Sequence, residues 1–222
     1  MNKVKLRRPP TAVIIAIIAV IVLVGSTVAW LTVGEAIVNR TYNLSNFDAY
    51  AEVYFDGGTN PPETYRNTDG SVSVDLTNPL AENYIGKIRV DVYYKGRGAA
   101  YVRLKTIQQW QENSPGNKIL QADNAIPYII AKPYLPTDTG NQAKWFDNRA
   151  DDYCFYYATR LTALNTGFTS AADAKVITGV DITRLNAIKP DNATLKIGFT
   201  LEAVQVNRYP QFWGLESLPW LD

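Results

Sequence analysis

Histidine is absent from all 222 residues, and cysteine occurs once, at Cys154. Without an imidazole, no Ser-His-Asp triad, Cys-His dyad or His-bearing zinc site can be assembled. A single cysteine forbids an intrachain disulfide, so a domain exported from the cytoplasm must be held by its core alone. Cys154 sits in the aromatic run Tyr153-Cys154-Phe155-Tyr156-Tyr157. There a thiol reads as a small buried apolar residue, with an intermolecular disulfide as the alternative. A surplus of positive charge is also lacking, since the formal net charge is only +1. A nucleic-acid partner, whose phosphates call for a basic face, is therefore not expected.

What is present begins with the first thirty residues. Lys3, Lys5, Arg7 and Arg8 precede an apolar run from Ala12 to Val24, followed by Gly25-Ser26-Thr27-Val28-Ala29-Trp30. A basic start, a hydrocarbon-soluble middle and small residues at Thr27 and Ala29 make an export signal, with cleavage expected between Ala29 and Trp30. The competing reading is a retained anchor. The uncharged stretch from Thr11 to Val33 is 23 residues long, and about 20 suffice to cross the hydrocarbon core as a helix. Without residues 1–29 the 22 basic residues fall to 18 against 21 acidic ones, a formal charge of −3. The 193 residues that remain are enough for one sizeable domain.

Past residue 45 the pattern is that of strands. Ala49, Ala51, Val53 and Phe55 alternate with polar or aromatic neighbours, as do Val72, Val74 and Leu76, then Ile88, Val90, Val92 and Tyr94. Ala100, Val102 and Leu104 repeat the period, and Gly96-Arg97-Gly98 before them reads as the tight turn of a hairpin with the preceding strand. Further strands are expected at 126–131, 153–160, 175–182 and 195–206. In the last of these Ile197, Phe199, Leu201 and Ala203 oppose Lys196, Thr200 and Glu202. Helix is expected only near Ala122 or between Ser170 and Ala174. Short strands, scattered turn signals and no βαβ alternation predict an all-β, jelly-roll-like β-sandwich preceded by an N-terminal signal or transmembrane helix.

Few motifs carry chemistry. Leu135-Pro136-Thr137-Asp138-Thr139-Gly140 is close to a sortase signal but has one residue too many and is internal, so it reads as a loop. Asp147, Asn148, Asp151 and Asp152 cluster, yet their spacing fits no EF-hand and a solvated acidic loop is the simpler reading. Glu202 and Asp181 do not pair recognisably as glycosidase carboxylates. Trp145, Tyr153, Tyr156 and Tyr157 could line a sugar platform, although strand alternation places about half of such residues in a core. Sequons at Asn39, Asn43 and Asn192 matter only if the host glycosylates them.

The strand Ala193-Thr194-Leu195-Lys196-Ile197-Gly198-Phe199-Thr200-Leu201-Glu202-Ala203-Val204-Gln205 resembles the closing strand of the TasA/camelysin family, exported proteins processed by a SipW-type signal peptidase. Thr27-Val28-Ala29-Trp30 is similar to that family's cleavage region. Ala100-Tyr101-Val102-Arg103-Leu104-Lys105 is similar to its early core strand, and Asp151-Asp152-Tyr153-Cys154-Phe155-Tyr156-Tyr157 to its aromatic strand. The resemblance implies a jelly-roll subunit of an extracellular biofilm or pilus-like fibre, in which the mature N-terminus of one subunit inserts as a strand into the next.

Three segments are thus expected: a signal at 1–29, a donor strand at 30–45 and a β-sandwich at 46–222. Trp30, Leu31, Val33, Ile37 and Val38 supply the donor strand's apolar side chains, with Gly34 and Glu35 interrupting their alternation. The expected partners are further copies of the chain, head to tail, and the signal peptidase, with the membrane touched only through residues 1–29. The expected location is the cell surface or matrix. No catalytic residue, metal or cofactor is expected; a His-Glu-x-x-His site is impossible without histidine. A polysaccharide-binding sandwich and a camelysin-like secreted hydrolase are the alternatives.

Overall fold

The computed structural model describes residues 47–55, 67–96, 98–114, 119–120, 125–161 and 174–221, all within one compact unit spanning 38–222. The signal, its cleavage site and the donor segment lie outside these residues, as do both expected helices apart from Ala174. Among the described residues no helix is long and apolar enough to cross a membrane.

The fold is all-β, and the described residues form ten strands in two antiparallel sheets. One sheet has the order β1 (Phe47–Phe55), β3 (Ile88–Gly96), β9 (Lys175–Val180), β6 (Tyr128–Ile130). The other runs β2 (Val72–Val74), β10 (Ala193–Gln205), β4 (Ala100–Glu112), β8 (Cys154–Tyr157), β7 (Trp145–Asp147), and β5 (Ile119–Leu120) pairs with the far end of β4. Alternation dictates which side chains meet between them. Val90 and Val92 of β3, Val102 and Leu104 of β4, and Ile197 and Phe199 of β10 belong to one apolar cluster. The spine is the β4–β10 pair, in register over thirteen residues from Ala193↔Glu112 to Gln205↔Ala100.

The hairpin expected at Gly96-Arg97-Gly98 does not form. β3 pairs with β1 and β9, β4 pairs with β10, β5 and β8, and the chain crosses from one sheet to the other between them. Both strands bury alternate residues in either arrangement, so alternation could not distinguish a hairpin from a crossing. Gly98, at φ 155°, takes a backbone conformation open to glycine at the corner.

Among the described residues three short α-helices were not anticipated: α1 (Arg149–Asp152), α2 (Ile182–Ile188) and α3 (Tyr209–Trp213). α2 starts where the Asp181 carboxylate accepts the Arg184 N–H at 3.1 Å, and it drives Leu185 into the core with Ile182 and Ile188 beside it. α1 carries a tie between the sheets. The buried Arg149 guanidinium grips Asp147 through both carboxylate oxygens (2.8 and 2.7 Å) and donates to the Ile126 carbonyl at 2.6 Å, just ahead of β6. The same cation lies 4.5 Å from the Phe155 ring centroid and 5.3 Å from that of Tyr128.

Candidate functional site

The polar backbone of a sheet's outermost strands offers the clearest unused chemistry. β1 is paired with β3 through nine residues, and among the described residues no strand pairs with its other edge. β2 covers the second edge of β10 only at Leu195–Ile197, leaving Gly198–Gln205 without a strand partner on that side among the described residues. These two open edges lie close together, where β1 of one sheet runs near β10 of the other. Ala49, Val53 and Phe55 share a core there with Phe199 and Leu201, while Ala51 and Ala203 are small and only half-buried. Long uncovered edges present rows of N–H and C=O groups able to pair with another strand.

The outer face of the four-stranded sheet is open and polar-aromatic. Tyr50 and Tyr93 are directly opposed across β1 and β3, their rings stacked at 4.9 Å with 17° between planes, and they are 39% and 40% exposed. The Tyr54 hydroxyl donates to the Glu52 carboxylate and lies 3.3 Å from the Tyr93 hydroxyl. Arg89 sits 4.4 Å above the Tyr54 ring and bonds the Asp91 carboxylate at 3.1 Å. Burial, and then the Glu52 hydrogen bond, push the Tyr54 phenol above its ordinary range. Burial also raises Asp91, against the opposing pull of Arg89 and Lys175. Sequence reasoning passed over this face. Its signal was the off-phase series Tyr50, Glu52, Tyr54 within an apolar alternation, which acquires meaning only beside Arg89, Asp91 and Tyr93.

The outer face of the six-stranded sheet is covered. Tyr101, Cys154, Tyr156, Ala158 and Val204 form a second apolar cluster closed by Leu218 and Trp220, with Tyr209, Trp213 and Leu215 against it. Trp220 meets Tyr101 edge-on at 5.8 Å, and its indole N–H donates to Asn141 at 3.3 Å. Within this face Arg103 donates to Glu202 at 2.7 Å and to the Tyr156 hydroxyl at 3.1 Å, while the Tyr156 hydroxyl donates to Asp152. The guanidinium lies 4.8 Å from the Trp213 ring centroid. Burial pushes the Cys154 thiol up to about 12, with nearby Arg103 pulling the other way. A thiol that reluctant to ionise is a packing group, as the sequence suggested.

The remaining candidates separate accordingly. Trp145, Tyr156 and Tyr157 are buried, and of the four aromatics nominated for a platform only Tyr153 is exposed. Asp147 serves Arg149, Asp152 accepts from Tyr156 and from the Cys154 N–H, and Asp181 caps α2. Among the described residues no group of acidic or cysteine side chains is arranged to hold a metal ion. Leu135–Gly140 is a loop, closed by Asp138 accepting from the Leu135 N–H at 2.7 Å and pairing with Lys144. Thr27, Ala29, Trp30, Leu31, Val33, Ile37 and Val38 lie outside the described residues. Compared with protein-family models, with curated proteins and with solved structures, the chain matches none.

Proposed function

We propose that this chain is the exported structural subunit of an extracellular filament, a jelly-roll-like sandwich that polymerises head to tail by donor-strand exchange. Cleavage after Ala29 frees Trp30 as the new N-terminus, and the segment through Val38 adds to the open edge of the next copy. Its function is then mechanical and adhesive, without catalysis. The observation that supports this reading is a pair of edges with no strand partner among the described residues, β1 and the Gly198–Gln205 half of β10, running close together over a shared core. A strand added there would satisfy edge N–H and C=O groups and shelter Trp30, Leu31, Val33, Ile37 and Val38 from water. Because donor and acceptor are different surfaces, each addition exposes a new acceptor and growth does not close on itself.

The test is assembly of the processed protein with and without residues 30–38, viewed by electron microscopy. Filaments that persist after the deletion overturn donor-strand assembly. Sequencing the N-terminus of protein recovered outside the cell checks the preceding step: Trp30 supports processing, whereas Met1 or Asn2 means a retained anchor. Ala51→Lys, which sets a charge on the half-buried side of β1, is expected to stop elongation while leaving the subunit folded.

A further inference from the structure

We infer that Tyr50 and Tyr93 form a one-electron-oxidation site that couples into an intramolecular dityrosine, with Tyr54 and Glu52 as its proton relay. The inference is independent of polymerisation and rests on the direction of the hydrogen bonds. A tyrosine hydroxyl has one proton to give. Tyr54 gives its proton to Glu52, so in the 3.3 Å contact between the Tyr54 and Tyr93 hydroxyls the donor is Tyr93. The chain therefore runs one way, from Tyr93 through Tyr54 to the Glu52 carboxylate, and a proton leaving Tyr93 has a defined destination. Arg89, 4.4 Å above the Tyr54 ring, opposes removal of an electron from that ring. Tyr54 thus passes the proton, while Tyr93 yields the electron. Tyr50 stands ready as the coupling partner. It is opposite Tyr93 in the β1–β3 register, stacked at 4.9 Å, and both rings are accessible to an oxidant.

The oxidant is a haem peroxidase working with hydrogen peroxide. Each tyrosine loses one electron and its phenolic proton, the Tyr93 proton along the relay and the Tyr50 proton to solvent. The two neutral radicals join through a new bond between their Cε carbons. Each Cε then sheds its hydrogen as a proton while the phenol oxygen regains one, restoring both aromatic rings. The net change is loss of two hydrogen atoms from the protein, and one hydrogen peroxide is reduced to two waters. The bond staples edge strand β1 to β3.

The experiment treats the full-length chain, in a non-ionic detergent at low protein concentration, with a haem peroxidase and hydrogen peroxide. Blue dityrosine fluorescence is followed, and the linked peptides are identified by mass spectrometry. The expected product is a monomer with Tyr50 joined to Tyr93, formed at a rate independent of protein concentration. Tyr50→Phe and Tyr93→Phe, which keep the stacked rings, abolish it. Glu52→Gln and Tyr54→Phe slow coupling by roughly a hundredfold, and added buffer base restores the Glu52→Gln rate. Links that join other tyrosines in preference, or that form only between chains, overturn the site. Oxidised tyrosines without a Tyr50–Tyr93 link do the same. Unchanged coupling in both relay variants overturns the relay.

Discussion

The two outer faces of this molecule use the same residue types to opposite ends. On the six-stranded sheet, Tyr101 and Tyr156 are sealed beneath Trp213, Leu218 and Trp220, and the polar groups beneath that cover are matched, Arg103 with Glu202 as an ion pair and the Tyr156 hydroxyl with Asp152 as a hydrogen bond. On the four-stranded sheet Tyr50 and Tyr93 stay 39% and 40% exposed, next to an Arg89–Asp91 pair whose second carboxylate oxygen, Asp91 Oδ1, has no hydrogen-bond partner among the described residues. Among the described residues, the difference comes from the chain after β10, which folds back over the six-stranded sheet and not over the four-stranded one. A tyrosine's role here follows from what crosses above it.

Trp220→Ala should disturb this contrast most. The side chain is 4% exposed and closes the second cluster, so truncation is expected to cost about 3 to 5 kcal/mol in urea unfolding. If the tail merely rests on the sheet, the midpoint will hardly move. Arg149→Met comes next. It leaves the packing volume but removes the grip on Asp147 and the bond to Ile126, for an expected loss of about 2 kcal/mol, softened by the partial exposure of Asp147.

A pH titration sharpens the comparison further. With the Cys154 thiol raised to about 12, the folded protein holds its proton where the unfolded chain, near its ordinary 9, releases it. Stability from this group is thus fully present below pH 9 and is lost as pH rises from 9 towards 12, by on the order of 1 kcal/mol per unit. Cys154→Ala should flatten that slope between pH 9 and 10. An identical slope in the variant assigns the loss elsewhere. The smallest effect is expected on the open face, where Tyr50→Ala removes one stacked cross-strand pair and should cost about 1 kcal/mol or less.

Much of the strand content was legible because alternation is a local consequence of pleated geometry. β1 carries the expected alternation of Ala49, Ala51, Val53 and Phe55, and Ile197, Phe199 and Leu201 are buried as their spacing implied. The cap of α2 was also written in the chain, as Asp181 ahead of Ile182, but its seven residues are too few for a convincing helical period. The Gly96–Gly98 corner was misjudged because glycine signals a change of direction without saying where the strand goes next. The Tyr54–Glu52 and Tyr93 network was illegible because its members are about forty residues apart and meet only through the β1–β3 register.

The amino-acid sequence by itself determined an all-β chain, the inward-facing residues of its main strands, the absence of an intrachain disulfide and the exclusion of histidine chemistry. These follow from covalent geometry and side-chain inventory, which act within a few residues. Only the tertiary structure decided that β3 and β4 belong to different sheets, that the tail covers one face, and that β1 and half of β10, side by side, have edges with no partner among the described residues. Those outcomes depend on which distant surfaces exclude water from one another, a choice that no local pattern encodes.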